Sequence, residues 1–241
     1  MLAPYFEVSG LDFHNSWIKV LDNIIEKGED IVFGSKQEQK KARDTAQLII
    51  LEQDAIKQIE NKDIHPGYGL KERAMQVYID EFDRDWYNEY RKLSKESMQR
   101  FTYLYIERLI DTYVDQFDFL RESLQESIES GISSNRSLAI TWNPVLDTSN
   151  ESPPCFQQVW IRHYASGDID MRLTWRSRDA FDAWPGNMVG IVHAMNKEVF
   201  FPNNCRIKRL MDYNYSIHIY NGRLREASTV VKKDQMRKRR F

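Results

Sequence analysis

Between Gln157 and Trp175 the chain carries two segments of alternating character, Gln157–Tyr164 (QQVWIRHY) and Ile169–Trp175 (IDMRLTW), separated by Ser166-Gly167-Asp168. Period-two alternation on both sides of a glycine-centred turn is the pattern of a β-hairpin, and it excludes an all-helical fold. The half before Gly131 reads differently. Trp17, Val20, Leu21, Ile24 and Ile25 recur at helical spacing after Asn15 or Ser16 as a cap and before Gly28 as a stop. Helical patterns also cover about Leu70 to Leu93, and about Ile106 to Ser130 with Leu109, Val114, Phe117, Leu120 and Leu124 as the core stripe and Gly131 as the C-terminal stop. Ala46–Leu51 (AQLIIL), Leu138–Trp142 (LAITW) and Tyr215–Tyr220 (YSIHIY) read as strands, and a helical segment follows Asn187 through Met188, Ile191, Val192 and Met195. The expected class is α+β: an antiparallel or mixed sheet with helices packed on one side. The βαβ rhythm of a doubly wound fold is absent.

No repeat or linker divides residues 1–241, so one domain is expected, ending in a basic tail from about residue 230. That tail holds Lys232, Lys233, Arg237, Lys238, Arg239 and Arg240 against Asp234, in a chain of net charge −2. The rest is therefore acidic, nucleic acid is not expected as a partner, and the tail reads as a solvated, frayed end. With 41% hydrophobic residues a sizeable core can form. No apolar run approaches the roughly 18 residues of a membrane span. Cys155 and Cys205 give neither a disulfide framework nor a zinc site, and no metal is expected. With no secretory signal in MLAPYFEVSG, the expected setting is the cytoplasm.

The chemistry-bearing residues stand in a fixed order: Pro153-Pro154-Cys155, then Arg176-Ser177-Arg178-Asp179, then Asn187, then His218-Ile219-Tyr220. Upstream stand Tyr103-Leu104-Tyr105-Ile106-Glu107-Arg108, Asp115-Gln116, and Ser134-Asn135-Arg136 before LAITWNP. From about Phe101 to Tyr220 this order resembles the thymidylate synthase family: a Pro-Cys nucleophile, Arg-Ser-x-Asp some twenty residues later, an asparagine eight residues after that aspartate, and His-x-Tyr on a later strand. Before Phe101 the likeness is loose.

The resemblance implies a thymidylate-synthase-like fold dimerising through its sheet, and one-carbon transfer to C5 of dUMP. The donor would be 5,10-methylenetetrahydrofolate or a related reduced pterin. Carbon 5 of uracil is a poor nucleophile; a thiolate added at carbon 6 makes it an enolate that attacks an electrophilic carbon. The family pattern makes Cys155 that thiolate, which an arginine nearby would favour. By the same pattern Arg176 and Ser177 bind the phosphate, and Arg136 reaches the phosphate in the partner of a homodimer. His218 and Tyr220 bond the ribose 3′-hydroxyl. Asp179 presents its backbone N–H to the pyrimidine, Asn187 its amide to the N3–O4 edge, and Tyr105 helps remove the C5 proton. Arg43, in KKARDT, is the nearest match to a further phosphate-binding arginine. Glu81 is the choice for the proton-relaying glutamate, with Glu72 and Glu89 as rivals and a solvated helix face as the plain alternative for all three.

Three departures from the family stand out. Phe156 follows the nucleophile where histidine is usual, Trp184-Pro185-Gly186 replaces the usual Pro-Phe approach to the asparagine, and only 21 residues follow Tyr220. A lid that excludes water favours hydride delivery and dTMP, whereas water entry gives 5-hydroxymethyl-dUMP. The expected product is dTMP, with the hydroxymethyl product as the alternative and an inactive, nucleic-acid-binding family member as the remaining one.

Overall fold

A computed structural model describes residues 3–34, 39–62, 72–93 and 103–239, the side chains of 72–74 excepted. Strand β1 (Tyr5–Val8) leads into helix α1 (Phe13–Lys27), whose stripe of Trp17, Val20, Leu21 and Ile24 is buried as the spacing requires. Its cap is Asp12 rather than Asn15 or Ser16: the Asp12 carboxylate accepts from the Asn15 N–H at 2.7 Å. Strand β2 (Glu29–Gly34), strand β3 (Gln39–Leu51) and helix α2 (Gln53–Glu60) follow. Only the apolar end of β3 is visible in the sequence, because its first half, QKKARDT, is mostly charged and polar.

The helix expected over Leu70 to Leu93 is two helices, α3 (Glu72–Asp80) and α4 (Arg84–Tyr90), its first residues lying outside those described. Asp83 breaks it: its side chain accepts from the N–H groups of Asp85 and Trp86 and starts a new helix. The helix expected from Ile106 to Ser130 is likewise divided into α5 (Tyr105–Ile110) and α6 (Gln116–Ser130). Asp115 caps α6 and holds Arg84 at 2.6 Å, while Val114, expected in the core, is 63% exposed in the intervening turn. Gly131 ends α6 in the left-handed conformation at φ +69°.

Strand β4 (Leu138–Ile140), a single turn α7 (Pro144–Asp147) and the hairpin of β5 (Phe156–His163) and β6 (Asp168–Trp175) come next. Then follow the two-residue strand β7 (Arg178–Asp179), helix α8 (Trp184–Met195), strand β8 (Arg206–Tyr220) and helix α9 (Leu224–Lys238). Asn187 lies inside the first turn of α8, not before it. The frayed tail is overturned as far as Lys238. Ala227, Val230 and Val231 bury one face of α9, and the Asp234 carboxylate lies 2.9 Å from the His14 ring of α1 and 2.7 Å from Lys238. Arg240 lies outside the described residues.

These strands form one mixed sheet in the order β1-β3-β8-β6-β5-β4, with β2 on β3 and β7 on β8. β8 is its hub, antiparallel to β3 and parallel to β6 and β7. On β6, Ile169, Met171, Leu173 and Trp175 are buried on one face, while Arg172 and Thr174 line the other beside Trp160 of β5 and Tyr213 of β8, all partly exposed. The α+β architecture is therefore as the sequence implies.

Candidate active site

Cys155 sits in the turn entering β5, and its carbonyl accepts from the Arg176 N–H at 3.0 Å, which fixes the cysteine loop to the end of β6. The Arg176 guanidinium reinforces this, donating to the carbonyls of Pro154 (3.0 Å) and Pro153 (2.6 Å). The proline pair thus presents two carbonyls to the arginine beside the sulfur. Burial pushes the Cys155 thiol up; the Arg176 charge opposes this, Glu81 adds to it, and the Tyr103 hydroxyl and Arg178 push down.

The tyrosine at the sulfur is Tyr103, not Tyr105. Tyr103 hydrogen-bonds the thiol, and its own hydroxyl is bonded by Tyr105. Tyr105 is buried behind it among Phe82, Phe156 and Trp175, with ring centroids 5.0 to 5.9 Å apart. In sequence the two tyrosines, two residues apart, are indistinguishable; the turn into α5 orients only the first toward Cys155. Phe156 belongs to this aromatic cluster, which accounts for an apolar residue after the nucleophile.

Glu81 joins the site because α3 ends there. Its carbonyl accepts from the Ile106 N–H at 2.8 Å, and its carboxyl lies 3.4 Å from the Asn187 amide nitrogen. Burial raises its pKa to about 8. Its rivals fall away differently: Glu89 is exposed and paired with Lys92 at 2.6 Å, and the Glu72 side chain lies outside those described. Gly186 makes the encounter sterically possible. A Cβ there would stand 2.8 Å from Tyr78 Cβ and 2.9 Å from the Met75 carbonyl, so α3 can approach α8 this closely only over a glycine. Tyr78, which sequence reasoning missed, is thereby set beside Asp179, Asp182 and Tyr220, and burial with their charges pushes its hydroxyl to about 12.

Asp179 turns the chain after β7, accepting from the N–H groups of Phe181 (2.8 Å) and Asp182 (2.9 Å); burial raises it to about 6. Its neighbour across the strand is His218, whose ring packs against Phe33 and Tyr220. His218 is 2% exposed, neither ring nitrogen has a hydrogen-bond partner among the described residues, and burial lowers its pKa to about 4. A buried, neutral imidazole with both nitrogens open to hydrogen bonding suits a polar ligand. Tyr220, raised to about 12 by burial, feels both Asp179 and Cys155. Ser177 is partly exposed beside Arg176.

Two expected residues stand apart. Arg43 pairs across β3 with Ile219, so it leaves the sheet on the face opposite His218 and Tyr220 and donates to the Gly28 carbonyl at 2.6 Å. It closes the end of α1 instead of entering the site. Arg136 is exposed before β4, with no ion pair among the described residues. Asp115 and Gln116 are structural: Gln116 bonds the carbonyls of Arg108 and Ile140 and the Ile140 N–H, pinning β4. A separate cavity of about 940 Å³ between Asp12, Glu52 and Arg209 touches none of the cysteine cluster. Among the described residues no cluster could hold a metal, and no helix is long and apolar enough to cross a membrane.

The thymidylate synthase family model matches residues 52–240, most of the chain and all of this cluster. The chain belongs to the thymidylate synthase family. It resembles a provisionally assigned thymidylate synthase of Methanothermobacter marburgensis at 23% identity, over 94% of this chain and 98% of the relative. A counterpart from Methanocaldococcus jannaschii is 27% identical over 72% of each chain, and one from Methanosarcina acetivorans 36% identical over 43% of this chain and 47% of the relative. Membership of the thymidylate synthase family places the protein among transferase-type enzymes of nucleotide biosynthesis.

Proposed function

We propose that this enzyme transfers a one-carbon unit to C5 of dUMP through a transient bond between the Cys155 sulfur and carbon 6, giving dTMP. The observation that carries this reading is the meeting of Glu81 and Asn187 around Cys155, from three segments far apart in sequence, in a cluster that also holds the buried, neutral His218 ring. In this reading Cys155 adds as the thiolate, favoured by Arg176, while Arg176 and Ser177 hold the phosphate. His218 and Tyr220 take the 3′-hydroxyl, and the Asp179 N–H meets the pyrimidine. The Asn187 amide donates to O4 and accepts from N3–H, which selects uracil over cytosine because the inverted edge would leave buried groups unpaired. Glu81, neutral at pH 7, supplies a proton toward O4, and Tyr103 is the tyrosine at carbon 5.

The donor, 5,10-methylenetetrahydrofolate or a related reduced pterin, would supply the carbon and, for a methyl product, the hydride. Asp179 and Tyr78 fit such a group: a half-buried carboxyl and hydroxyl on the α3–α8 side of the site, suited to the N–H groups of a pterin ring. Incubating the protein with dUMP and methylenetetrahydrofolate tests the reading. We expect dTMP with dihydrofolate; a product heavier than dTMP by one oxygen, with tetrahydrofolate, would assign the hydroxymethylase reaction, and no product would overturn both.

The partly exposed sheet face around Trp160, Arg172 and Tyr213 supports a homodimer, in which Arg136 completes the partner's phosphate site. Mixing Arg136→Glu with Cys155→Ala, each inactive alone, then restores about a quarter of the wild-type activity, since half the dimers are mixed and each holds one intact site. No recovery on subunit exchange would exclude sharing.

A further inference from the structure

The family pattern Arg-Ser-x-Asp leaves its third position open, and here that position is Arg178. Its guanidinium is 1% exposed and meets the Asp212 carboxylate, 0% exposed, at 2.9 and 3.0 Å. Asp212 also accepts from Trp184 Nε1 (2.9 Å) and Asn214 Nδ2 (2.9 Å), and Arg178 lies 3.7 Å over the Trp175 ring. These contacts join three segments. Arg178 stands between Ser177 and Asp179, Asp212 is on the strand that carries His218 and Tyr220, and Trp184 opens the helix that carries Asn187. Trp175 in turn packs on Phe156, which follows Cys155, with ring centroids 4.8 Å apart.

We propose that Arg178 and Asp212 are a positioning pair that holds these segments around Cys155, with the guanidinium lending positive charge that favours the thiolate. A hydrophobic pair could hold the segments as well, since buried ion pairs are poor sources of stability; what a hydrophobic pair cannot supply is charge beside the sulfur. Arg178 is among the groups whose charge pushes the Cys155 thiol down. Among the described residues, the charged or titratable groups that interact with the thiol include Arg176, Glu81, Tyr103, Arg178, Tyr105 and Tyr220.

The inference rests on the nucleophile assignment above only in its purpose, because the thiol can be titrated without nucleotide. The test is the pH dependence of Cys155 alkylation by iodoacetamide in a Cys205→Ser background, read by peptide mass. Arg178→Met moves the midpoint up by about one pH unit, a tenfold loss of rate below it. Asp212→Asn moves it down, because the guanidinium charge is no longer offset. Arg178→Met/Asp212→Leu, which leaves no stranded charge and keeps a folded core, moves it up. Opposite shifts in the two single variants are the signature, since a purely structural pair would shift both alike. Should the single variants fail to fold, an unchanged midpoint in the double variant overturns the proposal. Failure of the dUMP assay alone would leave this result standing.

Discussion

Replacing Cys155 with alanine leaves dUMP bound and abolishes covalent capture of 5-fluoro-dUMP. The proposed nucleotide contacts come from Arg176, Ser177, Asp179, Asn187, His218 and Tyr220, and none of these described residues is held in place by a hydrogen bond to the sulfur. Arg176 is anchored on the carbonyls of Pro153 and Pro154, which the substitution keeps. The fluorinated ring normally persists as an adduct because fluorine at carbon 5 cannot leave as a proton does. Without the sulfur there is nothing to add at carbon 6, and turnover falls on the order of 10⁴-fold or more, as when other covalent nucleophiles are removed. Intact-protein mass after denaturation reads the adduct, and calorimetry reads binding. An adduct surviving in Cys155→Ala would move the nucleophile elsewhere and remove the basis of the proposed reaction.

Glu81→Gln gives a protein that is more stable and less active. The folded-state pKa of about 8 lies above the ordinary 4.5, so burial disfavours the carboxylate. Below pH 4.5 the group is neutral in both states and costs nothing. As pH rises the unfolded chain ionises first and the folded state is penalised, by about 3 kcal/mol at pH 7, the deficit growing until about pH 8. Glutamine removes that penalty while keeping the shape and a partner for Asn187. Denaturation midpoints of the two proteins should therefore coincide near pH 4 and separate toward pH 8. Activity at pH 7 falls by about 10² to 10⁴, the usual worth of a positioned acid. Equal stabilities at pH 8 would show that the carboxyl is solvated and would take Glu81 out of the proton relay.

The parts of this site that were legible in the sequence are those whose spacing is local. Cys155, the Arg176–Asp179 run, Asn187 and His218-Ile219-Tyr220 each occupy a short stretch with its own pattern, and the structure places them in one cluster. What escaped was set by contacts between distant segments. Tyr103 and Tyr105 exchange places because the orientation of a turn, not composition, decides which one meets the sulfur. Arg43 was misplaced because β3 extends seven residues further than its apolar half reveals, and strand register then sends that side chain to the α1 face. Helix α9 was hidden by its charge: a mostly basic segment reads as solvated unless the His14–Asp234 contact that docks it is known. Tyr78 carries no motif at all; its place follows from a glycine more than a hundred residues later.

The central position of β8 bears on how such a chain reaches its native state during synthesis. Ser216 and Asp44, hydrogen-bonded across β8 and β3, are 172 residues apart. While the polypeptide is emerging from the ribosome, β3 lacks its inner neighbour and β6 its parallel partner until β8 has been made. Two sheet fragments with unpaired inner edges must wait for the same late strand, an arrangement of high contact order that folds slowly and exposes those edges to association with other chains in the interval.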